Sequence, residues 1–442
     1  MKNNISLIST TQDMPWADIC PDFDQISEDT LELTGEKFQK IDGFGGCFNE
    51  LGWTALTIIE EKERDELLSE LFDKKEGLKF NFCRLPIGAS DYALEWYSCN
   101  ETDNDYKMEH FSIDRDKKYL IPYINSALKI NEDIKLFASP WSPPIWMKYP
   151  KVYNFGKLIW KKENLEAYAL YFEKFVNQYK EEGIKINQVH VQNEVIADQK
   201  FPSCVWSGDE LKEFIGEYLG PQFENNDIDT EIWLGTINAP EDNNKKYVTD
   251  YDNLANYVLS FPKARKYIKG VGYQWAGKNA IQQTYESWPE IQLMQSENEC
   301  GDGKNTWEYA RYVFNLFKHY LSNGVNSYIY WNMVLEPEGR STWGWTQNSL
   351  ITIDPITKEI IRNPEYYVMK HFSHFIERGA VRLGTKGHWN GNALAFENPN
   401  GEIIIVVSNG MNIERKFSFI GKGEPFTVTL KPYSFNTLKI ED

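Results

Sequence analysis

The chain has 442 residues, of which 41% are hydrophobic and 25% charged, as is ordinary for a soluble protein with a large core. Its formal net charge of −18 argues against a nucleic-acid partner and against adsorption to an anionic membrane. The sequence contains no apolar run of about 18 residues, the length that a membrane-spanning helix requires. Neither nucleic-acid binding nor membrane insertion is therefore expected.

The six cysteines predict neither a disulfide framework nor a metal site. They are scattered without a C-x-x-C pair, and no cysteine–histidine cluster has zinc-site spacing. Because the first residues lack the apolar stretch of a signal peptide, a reducing, cytoplasmic location is expected, with secretion only if a leader once preceded this sequence. No cofactor is predicted, and the oligomeric state stays open. The cysteines stand at positions 20, 47, 83, 99, 204 and 300.

Strand and helix patterns alternate along most of the chain. Residues 1–40 carry short β-like pieces, and beyond them apolar strands alternate with helices whose apolar residues recur at i, i+3 and i+4. The clearest helices are expected at 164–179 and 306–321, with Asn164 and Thr306 as N-caps. Eight strands are expected at 41–48, 78–88, 134–140, 186–195, 230–238, 270–276, 291–297 and 326–335.

These units predict an α/β fold, a (β/α)8 TIM barrel over residues 41–377, because strands and helices alternate at a period of about 30 to 50 residues. A doubly wound open sheet is the alternative. It would carry a glycine-rich phosphate loop, and the nearest stretch, Gly43-Phe-Gly-Gly46, lacks the G-x-G-x-x-G spacing. The β-rich segments 1–40 and 378–442 are expected to form one small β-sandwich side domain, since the termini of a barrel lie close together.

Polar and aromatic residues at the carboxyl ends of the predicted strands form the candidate site. In a TIM barrel these ends carry the active site, whereas polar residues elsewhere in a strand are more often structural. His190, in mid-strand between valines, is accordingly interpreted as a core histidine. The candidates in strand order are Asn49, Glu50, Arg84, Asp91, Trp141, Asn193, Glu194, Gln274, Trp275, Glu297 and Trp331.

Two glutamates stand out among them. Glu194 ends the fourth strand and Glu297 the seventh, so their side chains could converge across the barrel mouth. Paired carboxyl groups suit glycoside hydrolysis, at a separation of about 5 Å for a retaining and about 6.5–9.5 Å for an inverting mechanism. Each could instead be a buried ion-pair partner or a solvated acid. Glu299 competes with Glu297, which is preferred because it lies nearer the strand.

Two further residues have a structural and a functional interpretation. Trp141 lies in the proline-rich loop Ala138-Ser-Pro-Trp-Ser-Pro-Pro144, which suits either packing or a rigid platform for a sugar ring. Arg84 is interpreted as an ion-pair partner that orients Glu297 or Glu50, rather than as a substrate ligand. The aromatic fraction of 15% is compatible with both an aromatic core and a sugar site.

Five motifs in order along nearly the whole chain resemble glycoside hydrolase family 30, the glucosylceramidase-like family of clan A. The resemblance implies a barrel with a β-sandwich built from both termini, and a retaining β-glycosidase that forms a covalent glycosyl-enzyme intermediate. The motifs are Ile41-Asp-Gly-Phe-Gly-Gly-Cys-Phe-Asn-Glu50, Ala138-Ser-Pro-Trp-Ser-Pro-Pro144, Gln192-Asn-Glu194, Gln295-Ser-Glu297 and Tyr330-Trp-Asn332.

The resemblance also implies roles for individual residues. Glu194 resembles the acid/base, with Asn193 holding the sugar 2-hydroxyl, and Glu297 resembles the nucleophile, supported by Arg84. The other implied sugar contacts are Glu50 on distal hydroxyls, Trp141 and Trp331 beside the terminal sugar, and Trp345 at the leaving-group side.

The sequence departs from the family pattern in three places. Glu50 stands where relatives usually have aspartate, and Glu299 is a second acid where they commonly have none. Strand 6 reads Gly272-Tyr-Gln-Trp275, so a hydrogen bond to the nucleophile would come from Tyr273 or be missing, with Trp275 as a further substrate contact. These differences leave the substrate preference open.

The expected function is hydrolysis of small β-linked glucosides, in the manner of a β-glucosidase, a glucosylceramidase or an enzyme acting on β-1,6-glucan oligosaccharides. A β-xylosidase or β-fucosidase of the same family is the alternative, as is a barrel that binds carbohydrate without turnover. A metal-dependent barrel hydrolase is disfavoured, because the strand ends supply no His-x-His pair.

Overall fold

The computed structural model describes residues 4–21, 23–241 and 253–441. Its centre is a closed barrel of eight parallel strands, which confirms the predicted (β/α)8 fold. In chain order the strands up to the end of the barrel are β1 (Asn4–Thr11), β2 (Met14–Ile19), β3 (Thr30–Lys40), β4 (Gly43–Cys47), β5 (Phe82–Ile87), β6 (Lys135–Pro140), β7 (Lys148–Tyr149), β8 (Lys157–Leu158), β9 (Gln188–His190), β10 (Glu231–Ile237), β11 (Ile268–Gln274), β12 (Gln292–Glu297) and β13 (Val325–Asn332). The barrel consists of β4 to β6 and β9 to β13, which follow one another around the ring in chain order.

The glycine-rich first barrel strand serves close packing. A Cβ atom at Gly45 would lie 1.9 Å from the carbonyl oxygen of Phe82 on β5, so only glycine permits this approach of the two strands. Every residue of β4 is buried. The Gly43–Gly46 stretch is therefore a packing motif of the barrel.

The helices cover the outside of the barrel, and their ends follow local rules. Thr306 is the predicted N-cap, its side chain accepting from the N–H of Tyr309 at 3.2 Å. Asn164 is not the N-cap of its helix, because that helix already begins at Lys162. The Asn164 side chain donates instead to the carbonyl of Ile159. The described helices are α1 (Glu50–Leu56), α2 (Glu61–Phe72), α3 (Leu120–Ile130), α4 (Lys162–Glu181), α5 (Gly208–Glu213), α6 (Gly220–Asn225), α7 (Leu254–Leu259), α8 (Pro262–Arg265), α9 (Ile281–Ser287), α10 (Trp307–Ser322) and α11 (Pro364–Ser373).

The segments before and after the barrel form one nine-stranded sheet with its own apolar core, as predicted for the side domain. Its strand order is β2-β1-β22-β19-β18-β17-β3-β20-β21, so strands from both ends of the chain pair within it. Three short strands, β14 (Val334–Leu335), β15 (Ile351–Ile353) and β16 (Ile360–Arg362), form a separate small sheet. The remaining strands are β17 (Val381–Lys386), β18 (Ala393–Glu397), β19 (Ile403–Asn409), β20 (Arg415–Ile420), β21 (Phe426–Leu430) and β22 (Ser434–Glu441).

A buried histidine joins the two parts. The ring nitrogens of His371 on α11 lie 2.8 Å from Thr437 Oγ1 on β22 and 3.0 Å from Thr10 Oγ1 on β1. Burial lowers the pKa of His371 to about 3, so the ring is neutral and bridges two hydroxyl groups. Among the helices described, none is both long and apolar enough to cross a membrane.

Candidate active site

A cavity of about 270 Å³ opens at the carboxyl ends of the barrel strands. Its walls combine three carboxyl groups with amides and large aromatic rings, the mixture that suits recognition of a sugar. Most lining residues end a barrel strand or follow one by a few positions, as the strand-end rule predicts. The lining comprises Asp91, Trp141, Asn193, Glu194, Gln199, Phe201, Asn238, Trp275, Glu297, Cys300, Trp345 and Gln347.

Glu297, the last residue of β12, is held by an arginine from the opposite wall. Its Oε2 lies 2.6 Å from Nη1 of Arg84, which is fully buried on β5. Arg84 is itself fixed, because its Nη2 lies 2.8 Å from Ser139 Oγ. Burial raises the pKa of Glu297, and the Arg84 guanidinium opposes that rise, so this carboxyl is the one whose charge is compensated.

Glu194 sits just beyond β9 in a different electrostatic setting. Its backbone has a φ of 51°, in the left-handed region, and its N–H donates to Thr236 Oγ1 at 3.0 Å. Burial and then the charge of Glu297 raise the pKa of Glu194 to about 8. This side chain is therefore mostly protonated at neutral pH, as a general acid must be.

Asn193 is oriented by the same arginine. Its Oδ1 accepts from Arg84 Nη2 at 2.7 Å and from Gln274 Nε2 at 3.3 Å. Because the oxygen is engaged by donors, the amide nitrogen is the atom of Asn193 that can donate to a hydroxyl group in the cavity.

Asp91 is a third acid in the cavity, absent from the family-implied set of sugar contacts. It follows β5, and its Oδ2 lies 3.4 Å from Nε2 of Gln347. Burial and then the charge of Glu297 raise the pKa of Asp91 to about 8. The Arg84 guanidinium opposes the raised pKa of all three carboxyls, Asp91, Glu194 and Glu297, so their titrations depend on one another. The strand-end rule did find Asp91 in the sequence.

Glu194→Gln is expected to raise the thermal unfolding temperature at pH 8 by on the order of 1–3 °C. Because its pKa is raised, Glu194 holds its proton more tightly in the folded chain than in the unfolded chain, where a glutamate has a pKa of about 4.3. The stability linked to it is fully present below about pH 4 and lost as the pH rises through the folded value of about 8. Glutamine stays neutral and avoids that loss. Calorimetry at pH 5 and pH 8 measures the unfolding temperatures of variant and wild type. A variant that melts no higher than the wild type at pH 8 contradicts the prediction.

Tryptophans pack around the arginine and rim the cavity. Trp141 lines the cavity, and its ring lies 5.3 Å from that of Trp331, with the Arg84 guanidinium 4.6 Å from the Trp141 ring centre. Trp331 packs behind Trp141 and does not itself line the cavity. At the mouth, Trp345 is 41% exposed and stacks on Trp343 at 5.2 Å. Trp141, Trp275 and Trp345 are thus the tryptophans that line the cavity, together with the ring of Phe201.

Besides Trp331, two further residues predicted to contact substrate lie outside the cavity lining. The carboxylate of Glu50 is bound by the Arg115 guanidinium at 3.0 Å and by the N–H of Leu94 at 2.7 Å. The hydroxyl of Tyr273 lies 2.5 Å from Thr284 Oγ1, on the helix side of its strand. Both polar groups are bound by protein partners, and neither residue lines the cavity in this geometry. Of the residues that line the cavity, Asp91 is the nearest in sequence to Glu50, and Trp275 is the nearest to Tyr273.

The competing acid, Glu299, also points elsewhere. Its carboxylate lies 2.6 Å from Lys278 Nζ and accepts from the hydroxyl of Tyr312 at 2.7 Å. Only Glu297 of the two lines the cavity. The strand ends at Glu297, so the side-chain alternation of a strand no longer governs residue 299.

The chemistry of this cavity follows from two glutamates in different surroundings: Arg84 forms an ion pair with Glu297, whereas the pKa of Glu194 is raised to about 8. One can give a proton while the other attacks a carbon, which is the division of labour in glycoside hydrolases of the two-carboxylate type. The chain belongs to glycosyl hydrolase family 30: residues 41–376 match the model of its TIM-barrel domain and residues 379–438 that of its beta sandwich domain. It is a glycoside hydrolase with β-glycosidase function.

Individual relatives are similar over most of their length. Lysosomal acid glucosylceramidase of Mus musculus is 28% identical over 432 residues, which cover 91% of this chain and 81% of the relative. The structure of SrfJ from Salmonella typhimurium matches with a TM-score of 0.87 at 26% identity and covers 98% of this chain and 99% of its own. The endo-beta1,6-glucanase BT3312 matches with a TM-score of 0.86 at 25% identity and the same coverage.

Proposed function

We propose that this chain hydrolyses a terminal β-glucoside with retention of configuration, through a covalent glycosyl-enzyme intermediate. The observation that carries the proposal is that Glu194 and Glu297 line one cavity while Arg84 forms its ion pair with Glu297. The raised pKa of Glu194 keeps a proton ready for the leaving group, and Arg84 compensates the charge of the attacking carboxylate.

In the first step Glu297 attacks the anomeric carbon while Glu194 protonates the departing glycosidic oxygen. Because Oε2 is bound to Arg84, Oε1 is the oxygen that forms the ester. The charge of Glu297 then disappears, so the pKa of Glu194 falls and its carboxylate can take a proton from water. That water releases the sugar and restores Glu297. The Asn193 amide nitrogen holds the sugar 2-hydroxyl in both steps.

One side of the cavity is bounded by the loop of residues 339–345, which is hydrogen-bonded to the segment after β5. The indole N–H of Trp343 donates to the carbonyl of Asp91 at 3.1 Å, and Thr342 Oγ1 donates to that of Ala93 at 3.1 Å. The Tyr92 hydroxyl donates to the carbonyl of Gly339 at 2.5 Å. These bonds favour an exo-acting enzyme that takes one sugar ring beyond the scissile bond.

The leaving group would meet an aromatic rim. Phe201 and Trp343 pack at 5.1 Å, Trp345 stacks on Trp343, and Lys200 Nζ lies 5.1 and 5.7 Å from the two indole rings. Flat apolar faces of this kind stack on a pyranose ring. A second glucose, as in β-1,6-linked gluco-oligosaccharides, is therefore the leaving group that we favour, in line with the glucanase named above.

A lipid glucoside is the second candidate, favoured by one observation. The hairpin of β7 and β8 exposes Tyr149 by 79% and Phe155 by 40%, and the N–H of Phe155 donates to the carbonyl of Gln199 in the cavity wall. Apolar side chains beside the mouth would contact an alkyl leaving group.

The cellular location remains a prediction. A cytoplasmic enzyme would act on small glycosides, and the six unpaired cysteines suit a reducing compartment.

A panel of p-nitrophenyl β-glycosides tests the sugar, with glucoside, xyloside, fucoside and galactoside compared by kcat/KM. The glucoside is expected to lead by about 10-fold or more, since misplaced hydroxyls leave buried polar groups unpaired. Proton NMR of the first product tests the stereochemistry, and the β-anomer is expected. An initial α-anomer contradicts retention. A chain that binds glucose but turns over none of the four, nor gluco-oligosaccharides, would be the non-catalytic alternative.

A competition between gentio-oligosaccharides and octyl β-glucoside tests the leaving group. The oligosaccharide is expected to have the higher kcat/KM and to release glucose from its non-reducing end, which a label at the reducing end makes visible. Unlabelled products longer than glucose from the first turnovers, which can come only from internal cleavage, contradict exo action. A preference for octyl glucoside supports the lipid candidate.

A further inference from the structure

Trp275 lines the cavity beside Glu297, because the preceding residue, Gln274, pairs with Glu297 across β11 and β12. A hydrogen bond from the Trp275 side chain opposes the rise in the pKa of Glu297 that burial causes. The φ of Trp275 is 46°, in the left-handed region, which side-chain-bearing residues adopt only where the surroundings enforce it. Trp275 directly follows β11, so the strand alone does not fix its conformation.

A lysine and the second acid of the Ser296–Cys300 segment supply that support. Lys278 Nζ donates to the carbonyl of Trp275 at 3.1 Å and to Glu299 Oε1 at 2.6 Å. Both side chains are largely buried, with exposed fractions of 24% for Lys278 and 14% for Glu299. The ammonium group therefore connects the end of β11 to the segment after β12.

Helix α10 holds the other side of this pair. The Tyr312 hydroxyl donates to Glu299 Oε2 at 2.7 Å, and the Tyr309 hydroxyl donates to the Glu299 carbonyl, also at 2.7 Å. His319 Nε2 lies 2.9 Å from the carbonyl of Lys278. Three side chains of one helix thus fix Lys278 and Glu299 from outside the barrel.

We propose that the Lys278–Glu299 ion pair is a latch that positions Trp275 against Glu297. Neither latch residue touches the substrate; both act through the Trp275 carbonyl and its indole. The inference rests on the proposed role of Glu297 as nucleophile. It also assigns a role to Glu299, whose carboxylate orients Lys278, the residue that binds the Trp275 carbonyl.

Lys278→Met removes the latch and Lys278→Arg keeps a donor there. The methionine variant is expected to lose about 10-fold in kcat with little change in KM, because the nucleophile is misplaced rather than the sugar unbound. The acidic limb of its pH–kcat/KM profile is expected to shift upward by about half a unit, since Glu297 loses the indole hydrogen bond. The arginine variant is expected to recover most of both.

Two comparisons separate a latch from a mere charge or stability effect. Lys185→Met removes an equal charge from the ion pair with Asp229, and its pH profile is expected to match the wild type. Trp275→Phe removes the indole N–H, and Lys278→Met is expected to add little on that background, since both changes remove the same interaction. Additive effects would mean that Lys278 acts on Glu297 by charge alone and would overturn the latch.

The latch and the proposed function fail in distinguishable ways. If Glu297→Gln stays active, the nucleophile assignment falls and the latch with it. If Glu297→Gln is inactive while Lys278→Met keeps the wild-type pH profile and kcat, only the latch is overturned. A lowered melting temperature of Lys278→Met with unchanged pH profile and kcat also overturns the latch, because a structural ion pair alone would do that.

Discussion

Glu297→Gln is expected to abolish turnover, lowering kcat/KM by about 10⁴-fold or more. Glutamine has nearly the same shape but cannot form the glycosyl ester, and no other described carboxylate pairs with Arg84 in the cavity. Steady-state kinetics on p-nitrophenyl β-glucoside checks the loss, with circular dichroism as the check on folding. A 2-deoxy-2-fluoro glucoside is expected to label the wild type on Glu297, as peptide mass mapping would show.

Glu299→Gln is the matched control, because it makes the same change two residues further on. The amide can still bond Lys278 and Tyr312, so activity is expected to stay within about 10-fold of the wild type. If Glu299→Gln is inactive and Glu297→Gln active, the assignment of the nucleophile is wrong.

Glu194→Ala is expected to lose about 10²–10⁴-fold in kcat on substrates with a poor leaving group, the usual contribution of a general acid. With an activated aryl glucoside the first step needs no proton, so the intermediate accumulates. Azide is then expected to restore turnover, because it attacks without a general base in the space that the side chain leaves. The product would be the β-glucosyl azide. An α-azide, or no rescue at any azide concentration, contradicts the assignment.

The wild-type pH profile supplies a second test of Glu194. Because the acid form is active and the pKa of Glu194 is raised to about 8, the alkaline limb of kcat/KM is expected near pH 8. Asp91→Asn is expected to move that limb to lower pH, since the Asp91 charge helps to raise the pKa of Glu194. Titration of kcat/KM in both proteins measures the shift, and an unchanged limb in Asp91→Asn argues against this coupling.

The barrel and the position of two glutamates at its strand ends were predictable because both depend on local patterns. Buried parallel strands read as continuous apolar runs, and the carboxyl ends of barrel strands face one rim whatever the details of packing. Glu194 and Glu297 could therefore be placed on that rim from their positions alone. The helix that begins at Thr306 was predictable for a similar reason, since an N-cap is a contact within one turn.

Individual side-chain directions were less predictable, because they depend on partners distant in sequence. Glu50 turns to Arg115, Tyr273 turns to Thr284 on α9, and Trp331 packs behind Trp141. In each case a residue at the correct strand end contacts protein instead of lining the cavity. Asp91 was visible as a strand-end acid, but its place beside both glutamates depends on how the loop after β5 folds.

The sequence by itself determined the kind of protein, a TIM barrel with a sheet from both termini and a pair of glutamates at strand ends. It could do so because hydrophobic periodicity and strand order depend on residues that are close together in the sequence. Only the tertiary structure showed that Glu297 lines the cavity and that Glu299 does not. Arg84, 213 residues away, pairs with the first, and Lys278 with the second. The same packing decided that burial and the Glu297 charge raise the pKa of Glu194 to about 8, because desolvation and charge coupling exist only once the chain is folded.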